Sequence, residues 1–95
     1  MKENYIETKL IKEVEKRGGV CLKWVSPSFA GVPDRLVFLP GGCFGLVEAK
    51  APGKKLRPLQ RSRHRLFRKL GFKVYVLDSV EDIDRILDEI GGDAK

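Results

Sequence analysis

The sequence predicts one α/β domain of seven short elements in the order α, β, β, β, α, β, α. Three observations carry that expectation. Three segments repeat apolar residues at the three- and four-residue spacing of a helix face, and four others read as short strands. Clusters of Gly and Pro separate nearly all of them. The 95 residues leave room for one core, because a domain of this size buries only about two-thirds of its unfolded surface.

Residues 4 to 17 form the first expected helix, with Ile6, Leu10, Ile11 and Val14 on one face and Gly18-Gly19 ending it. Val20 to Val25 is the first strand, followed by a loop over the turn formers Ser26 to Pro33. Asp34 to Leu39 and Cys43 to Lys50 flank Pro40-Gly41-Gly42 as a hairpin. After Pro52-Gly53, residues 57 to 70 form a second helix. Pro58 lies in its first turn, Leu59, Leu66, Phe67 and Leu70 face inward, and Gly71 caps it. Phe72 to Leu77 is a nearly continuous apolar strand. Ser79 then serves as N-cap of the last helix, with Asp82 at the capping-box position. Val80, Ile83, Ile86, Leu87 and Ile90 make its buried face.

Charge is distributed unevenly along this order. The formal net charge is +6, and residues 50 to 73 carry ten Lys or Arg and no acid. Residues 78 to 93 reverse the sign, with seven acids against the single Arg85. A basic stretch with no acid of its own favours a polyanion, since each phosphate neutralised releases condensed counterions. Arg57, Arg61, Arg65 and Arg68 follow helical spacing along the outer edge of the second helix, and Lys54 and Lys55 precede them. No apolar run approaches the roughly 20 residues of a membrane span, and the polar Met1-Lys2-Glu3-Asn4 has no signal-peptide character. A cytoplasmic protein without membrane contact is expected. Cys21 and Cys43 lie in apolar runs without CxxC spacing and read as reduced core residues.

The hairpin decides whether two acids meet. With a three-residue loop, Leu39 opposes Cys43, Leu36 opposes Leu46, and Asp34 falls across from Glu48. A two-residue loop would pair Asp34 with Ala49 instead. Carboxylates on directly opposed residues, with Cβ atoms about 4.5 to 5.5 Å apart, repel each other and resist desolvation unless one is protonated or a cation lies between them. Lys50 lies two residues beyond Glu48, hence on the same strand face, where an ammonium can orient a water or neutralise charge on a phosphate. Glu7 shares a helix face with Leu10, Ile11 and Val14 and so points inward, with Glu3 one turn earlier as its competitor. Taken singly, each of these has an ordinary reading: Asp34 as a turn acid paired with Arg35 or Lys50, and Glu48 with Lys50 as a strand salt bridge. His64 reads as an incidental helix-surface histidine, and Trp24 as a core residue, with Phe29 covering it or joining a dimer contact.

Glu7, Gly31-Val32-Pro33-Asp34, Glu48-Ala49-Lys50 and Gln60, in this order and spacing, resemble the VRR-NUC branch of the PD-(D/E)XK nuclease superfamily from about residue 3 to about residue 80. A bare PD with ExK is a weak pattern. Joined to GxPD, the Gly-rich hairpin, Pro-Gly after ExK and the downstream Gln, it is specific. The resemblance implies a mixed sheet flanked by helices, a restriction-endonuclease-like core, and Mg²⁺ or Mn²⁺ as cofactor for phosphodiester hydrolysis. Asp34 and Glu48 would bind metal with the Ala49 carbonyl and Glu7, Lys50 would position water, and Gln60 would hold Lys50 or the scissile phosphate. Stand-alone members resemble phage or prophage proteins and Holliday-junction resolvases, which implies a homodimer acting on branched DNA. A binding module without catalysis and a nuclease acting on RNA are the competing functions.

Overall fold

The computed structural model describes residues 2–91, so Asp93 of the acidic run lies outside the described residues. Its elements follow the expected order: α1 (Glu3–Lys16), β1 (Val20–Lys23), β2 (Arg35–Leu39), β3 (Cys43–Ala49), α2 (Pro58–Lys69), β4 (Val74–Leu77) and α3 (Ile83–Gly91). The strands form one mixed sheet in the order β1-β2-β3-β4. The first three are antiparallel, and β4 joins β3 in parallel after the α2 crossover. The hairpin has the three-residue loop, with Leu39 paired to Cys43 and Arg35 to Val47.

Alternation along the strands gives the sheet two unlike faces. Val37, Leu39, Val47 and Leu77 point to one side and meet Ile6, Leu10 and Val14 of α1 and Ile83, Ile86, Leu87 and Ile90 of α3. This is the main core. A Cβ on Gly45 would lie 2.5 Å from Ile90 Cδ1, so only glycine there lets α3 rest directly on β3. Arg17 adds a polar clamp between the same helices, donating to Asp84 at 3.0 Å and Asp88 at 2.8 Å.

The opposite face carries Leu22, Leu36, Phe38, Phe44, Leu46 and Glu48, and α2 packs over part of it. The expected inward stripe of α2 is corrected here. Leu59, Leu66 and Leu70 are exposed, Leu70 at 63%, while Gln60, His64 and Phe67 turn toward the sheet. Trp24 is half-buried, in edge-to-face contact with Phe67 at 5.5 Å between ring centroids. Beyond the helix, Trp24, Leu36, Phe44, Leu46, Phe67 and Phe72 line an open apolar groove of about 350 Å³. The Arg63 guanidinium stacks on the Phe29 ring at 3.7 Å.

The remaining differences are at element ends. β4 starts at Val74 because Phe72 N–H still closes the end of α2 on the Phe67 carbonyl. Ser79 caps a 3₁₀ turn over Val80–Asp82 that precedes α3, and its hydroxyl accepts from Glu81 N–H, not Asp82. Asp82 faces Arg85 instead, at 3.8 Å. Both cysteines are free, and burial pushes the Cys21 thiol up to about 11, which keeps it protonated. No described helix is long and apolar enough to cross a membrane.

Candidate active site

Asp34 sits one residue ahead of β2, where Pro33 is buried and the loop from β1 enters the sheet. Its carbonyl accepts from Trp24 N–H at 2.8 Å, and its Oδ1 accepts from Ala49 N–H at 3.2 Å. One step beyond the Arg35–Val47 pair, this places Asp34 across from Glu48, as the loop length predicts. Burial and the neighbouring Glu48 push the Asp34 carboxyl up to about 7, against the Ala49 hydrogen bond that lowers it, with smaller contributions from Glu7 and Glu3. The site thus holds more negative charge than its protein donors compensate.

Glu48 is 4% exposed near the end of β3. Both of its oxygens are met by α2. Gln60 Nε2 donates to Oε2 at 3.4 Å, and His64 Nε2 lies 3.4 Å from Oε1. Among the described residues Gln60 makes no hydrogen bond to the Lys50 side chain. Its amide nitrogen is directed at Glu48, and its Oε1 accepts from Arg57 N–H at 2.9 Å, closing the first turn of α2. His64 is corrected outright: it is 1% exposed and belongs to the site, not to the helix surface. The signal that could have found it is its position four residues after Gln60, on the same helix face.

Glu7 points inward as expected, and Arg35 joins it at 3.2 Å, with both side chains largely shielded from solvent. Arg35 thus pairs with Glu7, not Asp34. Glu3, Glu7 and Asp34 each offer an oxygen within 4.8 Å of the others, so α1 brings both competing acids to the site. Ala49 is fully buried in β3. Lys50 follows it, half-buried, its N–H bonded to the Leu77 carbonyl at 2.9 Å. Among the described residues Lys50 makes no ion pair with an acid, and neither do Lys54, Lys55, Arg57, Arg61, Arg65 and Arg68.

A cavity of about 300 Å³ opens over Asp34, Glu48 and Gln60, lined also by Gly31, Arg57 and Leu59 among others. Gly31 has φ +89°, and a Cβ on it would come within 2.9 Å of Leu59 Cγ. The loop therefore lies directly against α2, held there by Arg63 Nε donating to the Ala30 carbonyl at 2.8 Å. The donor set fits a hard divalent cation: oxygens of Glu3, Glu7 and Asp34 converge, Glu48 borders this group without being part of it, and Asp34 is so disfavoured as an anion that its charge calls for a counter-ion.

A mixed sheet with α1 and α3 on one face, α2 on the other, and an Asp and a Glu meeting at the hairpin's open end defines a PD-(D/E)XK-like α/β domain. The VRR-NUC domain model matches residues 14–81. "Putative nuclease p44" of Acyrthosiphon pisum secondary endosymbiont phage 1 is 49% identical over 87 residues, covering 92% of each chain. A solved structure described as "VRR_NUC domain" superposes with a TM-score of 0.84 at 32% identity, over 90% of this chain and 94% of its own. Another, "VRR_NUC domain protein", shares the fold at a TM-score of 0.74 and 13% identity, over 96% of this chain and 88% of its own. The chain belongs to the VRR-NUC domain family.

Proposed function

We propose that this protein is a metal-dependent endonuclease that hydrolyses phosphodiester bonds in branched or otherwise structured DNA. The observation that carries the reading is the Asp34–Glu48 pair under the cavity, with Asp34 too short of positive charge to ionise easily. Asp34 and Glu48 would hold Mg²⁺ or Mn²⁺ together with the Ala49 carbonyl and Glu7, directly or through water. Bound there, the ion would supply charge to polarise a phosphoryl oxygen. Lys50 orients the attacking water and neutralises charge that develops on the phosphate. Gln60 steadies Glu48. Arg35 balances Glu7, so that α1 can bring an acid to the site without adding a full uncompensated charge.

The basic residues of α2 and the loop before it, Lys54, Lys55, Arg57, Arg61, Arg65 and Arg68, supply the phosphate grip. Their lack of acidic partners among the described residues supports this role. A homodimer is the functional form: one domain of this size has little surface with which to hold a duplex, and two copies place two sites on two strands. The exposed apolar side of the sheet, with Val20, Leu22, Phe38 and Phe72, supports such an association. The phage relative supports a phage or prophage origin and action in the host-cell cytoplasm.

The test is cleavage of labelled junction, flap, duplex and single-stranded DNA, with RNA counterparts, in Mg²⁺ or Mn²⁺. Cleavage that is lost in Asp34→Ala while binding persists supports the enzyme. Binding without cleavage under every condition would leave only a nucleic-acid-binding module.

A further inference from the structure

His64 is a buried polar group that the proposed chemistry does not use. It is 1% exposed, and its Nδ1 is buried with no hydrogen-bond partner among the described residues. A buried, half-satisfied imidazole is costly to keep where an apolar side chain of similar size would fit. Its other nitrogen, Nε2, faces Glu48 Oε1 at 3.4 Å. An ionised carboxylate only accepts, so Nε2 must carry the proton in that contact.

Gln60 meets the second oxygen of the same carboxylate, one helical turn earlier. Glu48 is therefore held at both oxygens by one rigid face of α2. Both contacts, at 3.4 Å, are longer than the usual N–H···O hydrogen bond. Two donors also fix the plane of the carboxylate, and hence the direction of the lone pairs left over for a ligand.

We propose that His64 is a positioning residue of the metal centre, holding Glu48 by an Nε2–H hydrogen bond so that the carboxylate presents its remaining lone pairs beside Asp34. This rests on the reading of Glu48 as a metal ligand. Hydrogen-bond partners of ligating carboxylates are worth about 10–100-fold in metal affinity.

The experiment is Mn²⁺ binding by calorimetry on the metal-free protein without DNA, comparing wild type with His64→Leu, His64→Gln and Glu48→Gln. His64→Leu keeps the volume and discards the donor. It removes an unpaired buried nitrogen but also leaves Glu48 Oε1 without its donor, so it should fold with a lowered melting temperature and bind Mn²⁺ about 10–100-fold more weakly. His64→Gln retains a donor and should recover most of that loss. Wild-type Mn²⁺ affinity in folded His64→Leu overturns the proposal.

A second readout needs no metal. Long-range ¹H–¹⁵N spectra of the imidazole should show the proton on Nε2, and the Glu48 carboxyl ¹³C resonance should move in His64→Leu. A proton resident on Nδ1 alone overturns the proposal even if His64→Leu fails to fold. If wild type and Glu48→Gln bind Mn²⁺ equally, the metal reading of Glu48 fails and takes the positioning role with it; the imidazole spectra then show whether the hydrogen bond itself survives.

Discussion

At the scale of single residues, Asp34 carries the largest electrostatic tension. Its carboxyl titrates at about 7 in the folded chain, because of burial and Glu48, against 3.8 ordinarily. Between those values the folded chain keeps a proton that the unfolded chain has released, so without metal its contribution to stability falls as pH rises from about 4 to about 7 and is level above. Asp34→Asn removes this fall. It should stabilise the metal-free protein by about 1–2 kcal/mol at pH 8, after discounting for partial exposure, and have little effect near pH 4. Urea melts at the two pH values check this, and a destabilised Asp34→Asn at pH 8 contradicts it. The same proton must leave when a cation binds. Calorimetry in buffers of different ionisation enthalpy should register about one proton released per Mn²⁺ at pH 6 and almost none at pH 9. Release independent of pH would remove Asp34 from the ligand set.

At the scale of elements, α2 links the site to the expected DNA grip. Its outer face holds the unpaired arginines, and its inner face holds Glu48. Replacing Arg61 or Arg65 by Ala should weaken DNA binding alike for all sequences and lower the slope of log affinity against log salt by about 1 for each phosphate no longer neutralised. An unchanged slope would place the DNA elsewhere. Gly31→Ala should cost about 1–3 kcal/mol by chemical denaturation, since it combines a left-handed backbone with a Cβ against Leu59 Cγ. Much of this architecture is legible in the sequence. Pro40-Gly41-Gly42 fixes the register, and the register brings Asp34 to Glu48. The faces of α1 and α3 follow from period, because both lie on the sheet face that carries the main apolar core. The face of α2 does not. It covers a strand that carries a buried carboxylate, so it turns Gln60 and His64 inward beside Phe67 and leaves Leu59, Leu66 and Leu70 outside. Of the four apolar residues expected inward only Phe67 keeps its place. The Arg35–Glu7 pair is equally hidden, since it joins residues 28 apart through a contact that no local pattern encodes.

At the scale of the whole molecule, charge and apolar surface are segregated. The acids of α3 are partly matched by Arg17 and Arg85, whereas the Lys and Arg side chains from Lys50 to Lys73 have no acidic partner among the described residues. The apolar groove beside α2 lies on the sheet face away from the main core. A dimer formed there predicts a gel-filtration mass near twice 10.7 kDa, reduced to the monomer by Phe38→Asp with far-ultraviolet circular dichroism unchanged. Wild type running as a monomer at micromolar concentration would count against that association. The tip of the hairpin has a practical use. Gly41 and Gly42 turn the chain at the end opposite Asp34 and Glu48, about 17 Å away along β2, and hypothetical side chains there meet no atom closer than 3.9 Å. A fluorophore or peptide tag spliced between these two glycines would report on the enzyme from a distance, leaving its chemistry undisturbed.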